Sequence, residues 1–273
     1  MPELSAVAKR LSQELLRLRD LAGLSGREMA RRTKVSQPMM SRIDRGLNLP
    51  SMPVVRRWLD EVDADDDTRA RVLALAEAAH SETRPWRVLF EQDGHLQEQM
   101  HGLDQASVRI RNFQPTVLPG LLQTAAYARA VLERGRTTDV AAGVAARLER
   151  QQLLHERGRH FEFVITEQLL ATPPGEGALV GQVDRLLSLS TLDTVDVAVL
   201  PTGVDPGVSL WHNFVIREPA DPEAGTVVSI ELQHGSQAVS DPESVKVYEE
   251  VWDRLWAAAA TGDDAVALLR ETR

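Results

Sequence analysis

Apolar residues recur at three- and four-residue steps from the start of the chain. Val7, Leu11, Leu15, Leu18 and Leu21 or Ala22 line one side of a helix over 6–22, and Gly23 ends it. Ser25 then caps a second helix, GREMARRT, with Glu28 three residues on in the spacing of a capping box, and Met29 and Ala30 face inward. A tight turn at Lys34-Val35 leads into a third helix, QPMMSRIDRG, capped by Ser36 and closed by Gly46 as its C′ residue. Pro38 falls in the first turn, where the missing N–H has no intrahelical partner to lose and the fixed φ suits a helix start. Met40, Ile43 and Leu47 repeat at helical spacing and face the core, which leaves Gln37, Pro38, Ser41, Arg42 and Arg45 on the solvent side. A fourth helix runs from Ser51 to about Val62, with Trp58 as a core plug. The acidic run DADDD at 63–67 then sets carboxylates at the start of a fifth, RARVLALAEAAH.

HSETRPW (80–86) is polar with a proline and reads as a linker. It divides the chain into a helical domain, 1–82, and a second domain, 83–273. Residues 87–104 read as a helix interrupted by Gly94. Ala106, Val108 and Ile110 alternate with Ser107, Arg109 and Arg111 as a half-buried strand. A Pro-Gly step and an amphipathic helix ending at Gly135 come next, then a longer helix over 137–158. FEFVIT (161–166) and VDVAVLP (195–201) are strands with a helix at 177–190 between them, and WHNFVIRE (211–218) and TVVSIEL (226–232) are two more. Asp241 caps a long helix, and a short one ends the chain. The expected fold class is an all-α five-helix domain followed by a larger α+β (mixed α/β) domain with a sheet of about four to five strands.

Charge changes the picture more than composition does. The 273 residues carry a net charge of −9, yet residues 1–57 hold 12 Lys/Arg against 5 Asp/Glu, a balance of +7, and the remainder holds −16. A basic segment joined to an acidic domain points to a nucleic-acid-binding unit with an acidic partner. The absence of cysteine excludes disulfides, thiol nucleophiles and cysteine-ligated metals. No run of 18 apolar residues suggests a membrane span, the N-terminus does not read as a signal peptide, and a cytoplasmic protein is expected. Three lysines against 28 arginines fit a high-GC bacterial genome.

The second and third helices form a helix-turn-helix, whose second member enters the major groove. Gln37 can pair with adenine and Arg42 with guanine in bidentate fashion, and the Pro38 ring can touch a thymine methyl. Ser36 and Arg45, at the ends, suit phosphates. With Ser25, Arg27 and Ser41 these are the DNA-binding candidates. For catalysis the sequence offers little. Seven histidines are scattered, and HExxH, P-loop, GxGxxG and GxSxG patterns are absent. Glu167, Glu231 and His234 lie at or just past strand ends, and PGLLQT reads either as a recognition loop or as a tight turn plus helix cap, the turn being favoured. No enzyme activity, cofactor or metal is expected.

GLSGREMARRTKVSQPMMSRIDRG resembles the lambda-repressor-like, or XRE-type, helix-turn-helix family through Gly23, Leu24, Ser25, Ala30, Val35, Ser36, Ser41, Ile43, Asp44 and Gly46. Two positions depart from it. Gly26 stands where the family often has a phosphate-contacting Gln, and Lys34 stands where the turn is often Gly and adopts φ > 0 at some cost. The resemblance implies an ion pair between Arg19 and Asp44. PGLLQTAAYARAVL, RLERQQLL, FVITEQLL and VAVLP resemble the C-terminal domain of actinobacterial WhiJ-type, antitoxin-like regulators. That implies a transcription regulator, often encoded beside a small protein that binds it. The resulting expectation is a sequence-specific repressor that binds double-stranded DNA as a homodimer, with its C-terminal domain sensing a small partner protein or ligand. An antitoxin regulating its own operon, and an enzyme with a DNA-binding appendage, are the alternatives.

Overall fold

The structure, a computed structural model, describes residues 6–80, 83–85, 96–135, 139–175, 177–221, 224–233 and 235–272. Five helices come first: α1 (Ala6–Leu21), α2 (Gly26–Thr33), α3 (Gln37–Asp44), α4 (Met52–Glu61) and α5 (Asp66–His80). Their boundaries reflect local chemistry. Gly23 takes φ +68, and the N–H groups of Gly23 and Leu24 bond Asp20 O and Arg19 O, so the chain leaves α1 in a left-handed turn. Ser25 Oγ accepts from Glu28 N at 3.2 Å. The reciprocal half of the capping box is not made, because the Glu28 carboxylate instead accepts from Arg32 at 2.6 Å. Asp65 Oδ1 accepts from Thr68 N at 2.7 Å and opens α5.

Leu11, Leu15, Met29, Met40, Ile43, Met52, Val55, Trp58, Leu59, Val72 and Ala76 form one core. Trp58 is fully buried and its Nε1 donates to Leu15 O at 3.1 Å, so burial leaves its polar atom satisfied. Two expected core residues lie outside. Leu21 is 73 % exposed and Ala22 is exposed as well, because the core-facing stripe of α1 runs out before its last turn. Leu47 is also exposed. Gly46 (φ +62) ends α3 with bonds from Gly46 N to Ile43 O and from Leu47 N to Arg42 O, so helical spacing no longer sets the direction of Leu47.

The rest is a single mixed sheet with helices on both faces. The elements are β1 (Thr83–Pro85), α6 (Leu96–Gln105), β2 (Ser107–Gln114), a 3₁₀ turn (Gly120–Leu122), α7 (Ala125–Arg134), α8 (Val140–Arg150), a second 3₁₀ turn (Gln151–His155), β3 (His160–Thr166), α9 (Glu167–Ala171), α10 (Gln182–Leu189), β4 (Val195–Leu200), β5 (Phe214–Pro219), β6 (Val227–Leu232), β7 (Gly235–Val239), α11 (Pro242–Ala258) and α12 (Gly262–Glu271). Strand order is β1-β7-β6-β5-β2-β3-β4, with β2, β3 and β4 parallel and the other pairs antiparallel. One face packs Ile110, Phe161, Phe163, Val195 and Val197 against Leu121, Tyr127, Leu186 and Leu269. The other packs Phe113, Val164, Phe214, Ile216 and Val228 against Val245, Trp252 and Leu255 of α11.

Several sequence expectations change here. All five expected strands are present, and β1 and β7 bring the sheet to seven. The stretch read as a linker therefore supplies an edge strand, with Thr83, Arg84 and Pro85 opposite Gln237, Ser236 and Gly235. Residues 87–95 of the helix expected over 87–104 lie outside the described residues. β2 does not alternate: Val108 is 40 % exposed, whereas Ile110, Arg111, Asn112, Phe113 and Gln114 are all buried, as a central strand covered on both faces requires. The single helix expected over 137–158 is α8 plus a 3₁₀ turn, and the one over 177–190 begins only after Gly181.

The helical unit meets the sheet at His80, which is buried at the end of α5. Its Nε2 lies 2.9 Å from Pro50 O and its Nδ1 faces Ser240 Oγ, just before α11. Among the described residues, no helix is long and apolar enough to cross a membrane.

Candidate nucleic-acid interface

The third helix is placed by its buried side. Met40 and Ile43 are 0 % and 1 % exposed in the helical core, which fixes the rotation of α3 about its axis. Ser36, in extended backbone, caps the helix with its Oγ accepting from Met39 N, and Pro38 stands in the first turn. Gln37, Pro38, Ser41 and Arg45 are then exposed along the opposite face, with Ser36 at its start. Arg42 differs: it is half-buried, and its Nε is out of contact with solvent. Arg45 Nε donates to Ser41 O at 3.0 Å, folding the side chain back along its own helix. Ser25 and Arg27 are exposed at the start of α2, and the Ser25 hydroxyl is already engaged as the cap of that helix.

An ion pair holds the helix from behind. Arg19 Nη1 donates to Asp44 Oδ2 at 2.6 Å, joining the last turn of α1 to the end of α3, with Arg19 only 8 % exposed. Gly26 lies over this pair. A Cβ there would fall 3.2 Å from both Arg19 Nη1 and Asp44 Oδ2, so the residue that removes a family-type glutamine also lets α2 close against the pair.

The basic residues of this unit divide by partner. Arg17 pairs with Glu14, and Arg32 with Glu28 and Glu61. Arg27, Arg31 and Lys34 are exposed, and none of the three forms an ion pair among the described residues. Lys34 takes φ 58, ψ 33 at the end of α2, the left-handed conformation expected of it, and so projects from the turn between the two helices. Lys34 and Arg31 are absent from the DNA-binding candidates drawn from the sequence. The signal for them is two basic residues flanking the turn, but in the sequence Lys34 stands out as a backbone position rather than as a charge.

Elsewhere lie the candidates for chemistry. Glu167 Oε2 accepts from Thr202 N at 2.7 Å beside a cavity of about 260 Å³ lined by Gln168, Leu170 and Thr272. Glu231, at the end of β6, accepts from Asn213 Nδ2 at 3.4 Å, and His234 lies outside the described residues. Among the described residues, no group of three or more His, Asp or Glu gathers where it could hold a metal. PGLLQT forms a 3₁₀ turn followed by a cap, with Thr124 Oγ1 accepting from Tyr127 N at 3.2 Å.

Comparison with known proteins adds four findings. A search of curated proteins gives no match. A solved structure of TrmBL2, an archaeal chromatin protein, aligns over 87 % of this chain and 88 % of its own at 12 % identity, with a TM-score of 0.32, a likeness too weak to carry an argument. Residues 10–72 match the model of a helix-turn-helix domain, an architecture of DNA-binding proteins. Residues 97–271, well over half of the chain, match a second model, so the chain belongs to the family described as "Domain of unknown function (DUF5753)", here preceded by a helix-turn-helix domain.

Proposed function

We propose that this protein is a sequence-specific DNA-binding transcriptional regulator, a repressor acting as a homodimer, whose C-terminal domain responds to a small partner protein or ligand in the manner of WhiJ-type regulators. The observation that carries the reading is the two-sidedness of α3: Met40 and Ile43 are sealed in the core, while Gln37, Pro38, Ser41 and Arg45 are exposed beyond a Ser36 cap. A helix held this way presents its N-terminal residues to base edges in a major groove. Exposed Arg27, Arg31 and Lys34 surround it with positive charge that suits the phosphate backbone. One helix-turn-helix reads few bases, so two copies on half-sites about 10 bp apart supply the affinity and selectivity. By linkage, any effector that prefers the form unable to bind DNA lowers DNA affinity by the same factor as DNA lowers its own.

The test is selection of bound duplexes from a random pool by the purified full-length chain. A paired, symmetric motif is expected. Arg42→Ala relaxes the preference at one base position, a loss of about 1–3 kcal/mol of discrimination there. Arg45→Ala weakens binding to every duplex alike and reduces the slope of log K against log salt by about one. An unselective wild-type protein at low salt, or an Arg42→Ala variant that selects the same motif, overturns the assignment.

A further inference from the structure

The sheet face that carries Ile110 is divided. Toward β3 and β4 it is apolar, but over β2, β5 and β6 the same face carries Asn112, Gln114, Arg217 and Ser229, each less than a tenth exposed. Asn112 Oδ1 is buried there without a hydrogen-bond partner. Asp104 of α6 bonds Arg217 Nε at 2.8 Å and lies 3.4 Å from Arg150 Nε. Buried charge of this kind is stable only when matched.

The charge of Arg147 has no ion-pair partner among the described residues. Arg147, one turn before Arg150 on α8, donates from Nη1 to the neutral Gln123 Oε1 at 2.7 Å. Its Nε is buried with no acceptor, and no carboxylate among the described residues forms an ion pair with it. The field of Glu231 reaches it, but that carboxylate is exposed and turned to Asn213. Burial and the like charge of Arg150 push the Arg147 guanidinium down to about 10. The surroundings are fixed. A Cβ on Gly120 would fall 2.8 Å from Arg150 Nη2 and 3.5 Å from Arg147 Nε, so glycine there lets the Arg150 guanidinium lie against that backbone, with Arg147 in contact beside it. Gln151 Nε2 donates to Gly120 O and Gln123 O at 3.0 and 2.8 Å, and Gln182 Nε2 to Leu122 O at 2.9 Å, which pins the loop.

We propose that Arg147, backed by Arg150 against the Gly120 backbone, binds the carboxylate or phosphate group of a small-molecule ligand of the C-terminal domain. A planar guanidinium with unused donors in a rigid setting is the arrangement that forks onto such an oxyanion. The proposal rests on the reading of this domain as the sensing half of a regulator, and it names the chemistry sensed.

The experiment uses the full chain without DNA. Thermal unfolding is followed against inorganic phosphate and against acetate, each at ionic strength held constant with chloride, for the wild type, Arg147→Gln and Arg147→Lys. The expected result is a saturable rise in midpoint with one of the anions, as ligand linkage requires. Arg147→Gln abolishes the rise, and Arg147→Lys weakens binding about tenfold or more through loss of the fork. A response to phosphate alone assigns a phosphorylated ligand, and one to acetate alone assigns a carboxylate. No rise, a rise linear in anion, or a saturable rise retained by Arg147→Gln overturns the proposal. Should Arg147→Gln fail to fold, Arg147→Lys, which keeps the charge, carries the comparison. Because the titration contains no duplex, its failure leaves the DNA reading standing, and failure of duplex selection leaves the titration standing.

Discussion

Arg19 and Asp44 stand 25 residues apart in sequence and 2.6 Å apart in space. Losing either one harms the fold more than the pair as a whole supports it. Arg19 is almost enclosed, and without Asp44 its guanidinium keeps only the longer contact to the exposed Asp20 carboxylate at 3.3 Å. Asp44→Ala is therefore expected to lower stability by about 3 kcal/mol, near the lower end for a broken buried pair. Arg19→Ala should act similarly, and the double variant should lose well under the sum of the two; urea unfolding of the four proteins checks this. Trp58→Ala, which empties the centre of the same core and frees Leu15 O, is expected to lose about 3–5 kcal/mol in the same assay. The pair also sets where α3 ends, so Asp44→Ala should reduce duplex selectivity even where the protein remains folded.

At the scale of elements, the turn between α2 and α3 holds two opposed demands. Lys34 is a non-glycine residue at φ 58, a conformation that disfavours a Cβ by about 1 kcal/mol. Lys34→Gly is expected to raise the urea midpoint while lowering affinity for any duplex and reducing the salt slope by about one, as loss of one phosphate contact does. A variant that is both more stable and equally avid would remove Lys34 from the interface. This turn also marks how far the sequence can be read. The caps at Ser25, Ser36 and Asp241 and the stop at Gly46 are legible because each is a local contest for a few N–H or C=O groups. The exposed face of α3 is legible because Met40 and Ile43 fix its rotation. Strands β1 and β7 are not, since TRP and GSQAV carry no alternating apolar run and GSQAV puts only Val239 into the core, so pairing with neighbouring backbone is what marks them as strands. Nor is the polar half of the sheet: Asp104 and Arg217 meet across 113 residues, and in sequence each looks like an ordinary surface charge. For Arg42 the periodicity finds the right helix but not the observed depth, because a helical wheel gives direction without saying how much neighbouring structure covers the stem.

For the whole molecule, His80 is the residue that feels both parts at once. Burial holds its pKa below the ordinary 6.5, against smaller opposing effects from Pro50 O and from Asp241. The unfolded chain takes up this proton near pH 6.5, and the folded chain only at lower pH. Between those values the unfolded state binds more protons, so stability is lost as pH falls below about 6.5 and is fully present above it. Urea midpoints at about pH 7.5 and about pH 5.5 should show the fall, and His80→Gln should remove its share of it. The margins of the sheet have a consequence of a different kind. On one side the outermost strand is three residues long and ends at Pro85, which has no N–H to offer; on the other, Val199 and Ala260 exchange both of their backbone hydrogen bonds. A foreign strand approaching either rim finds little to template on, so concentrated solutions of this protein should resist growth into fibres for as long as those two rims stay closed.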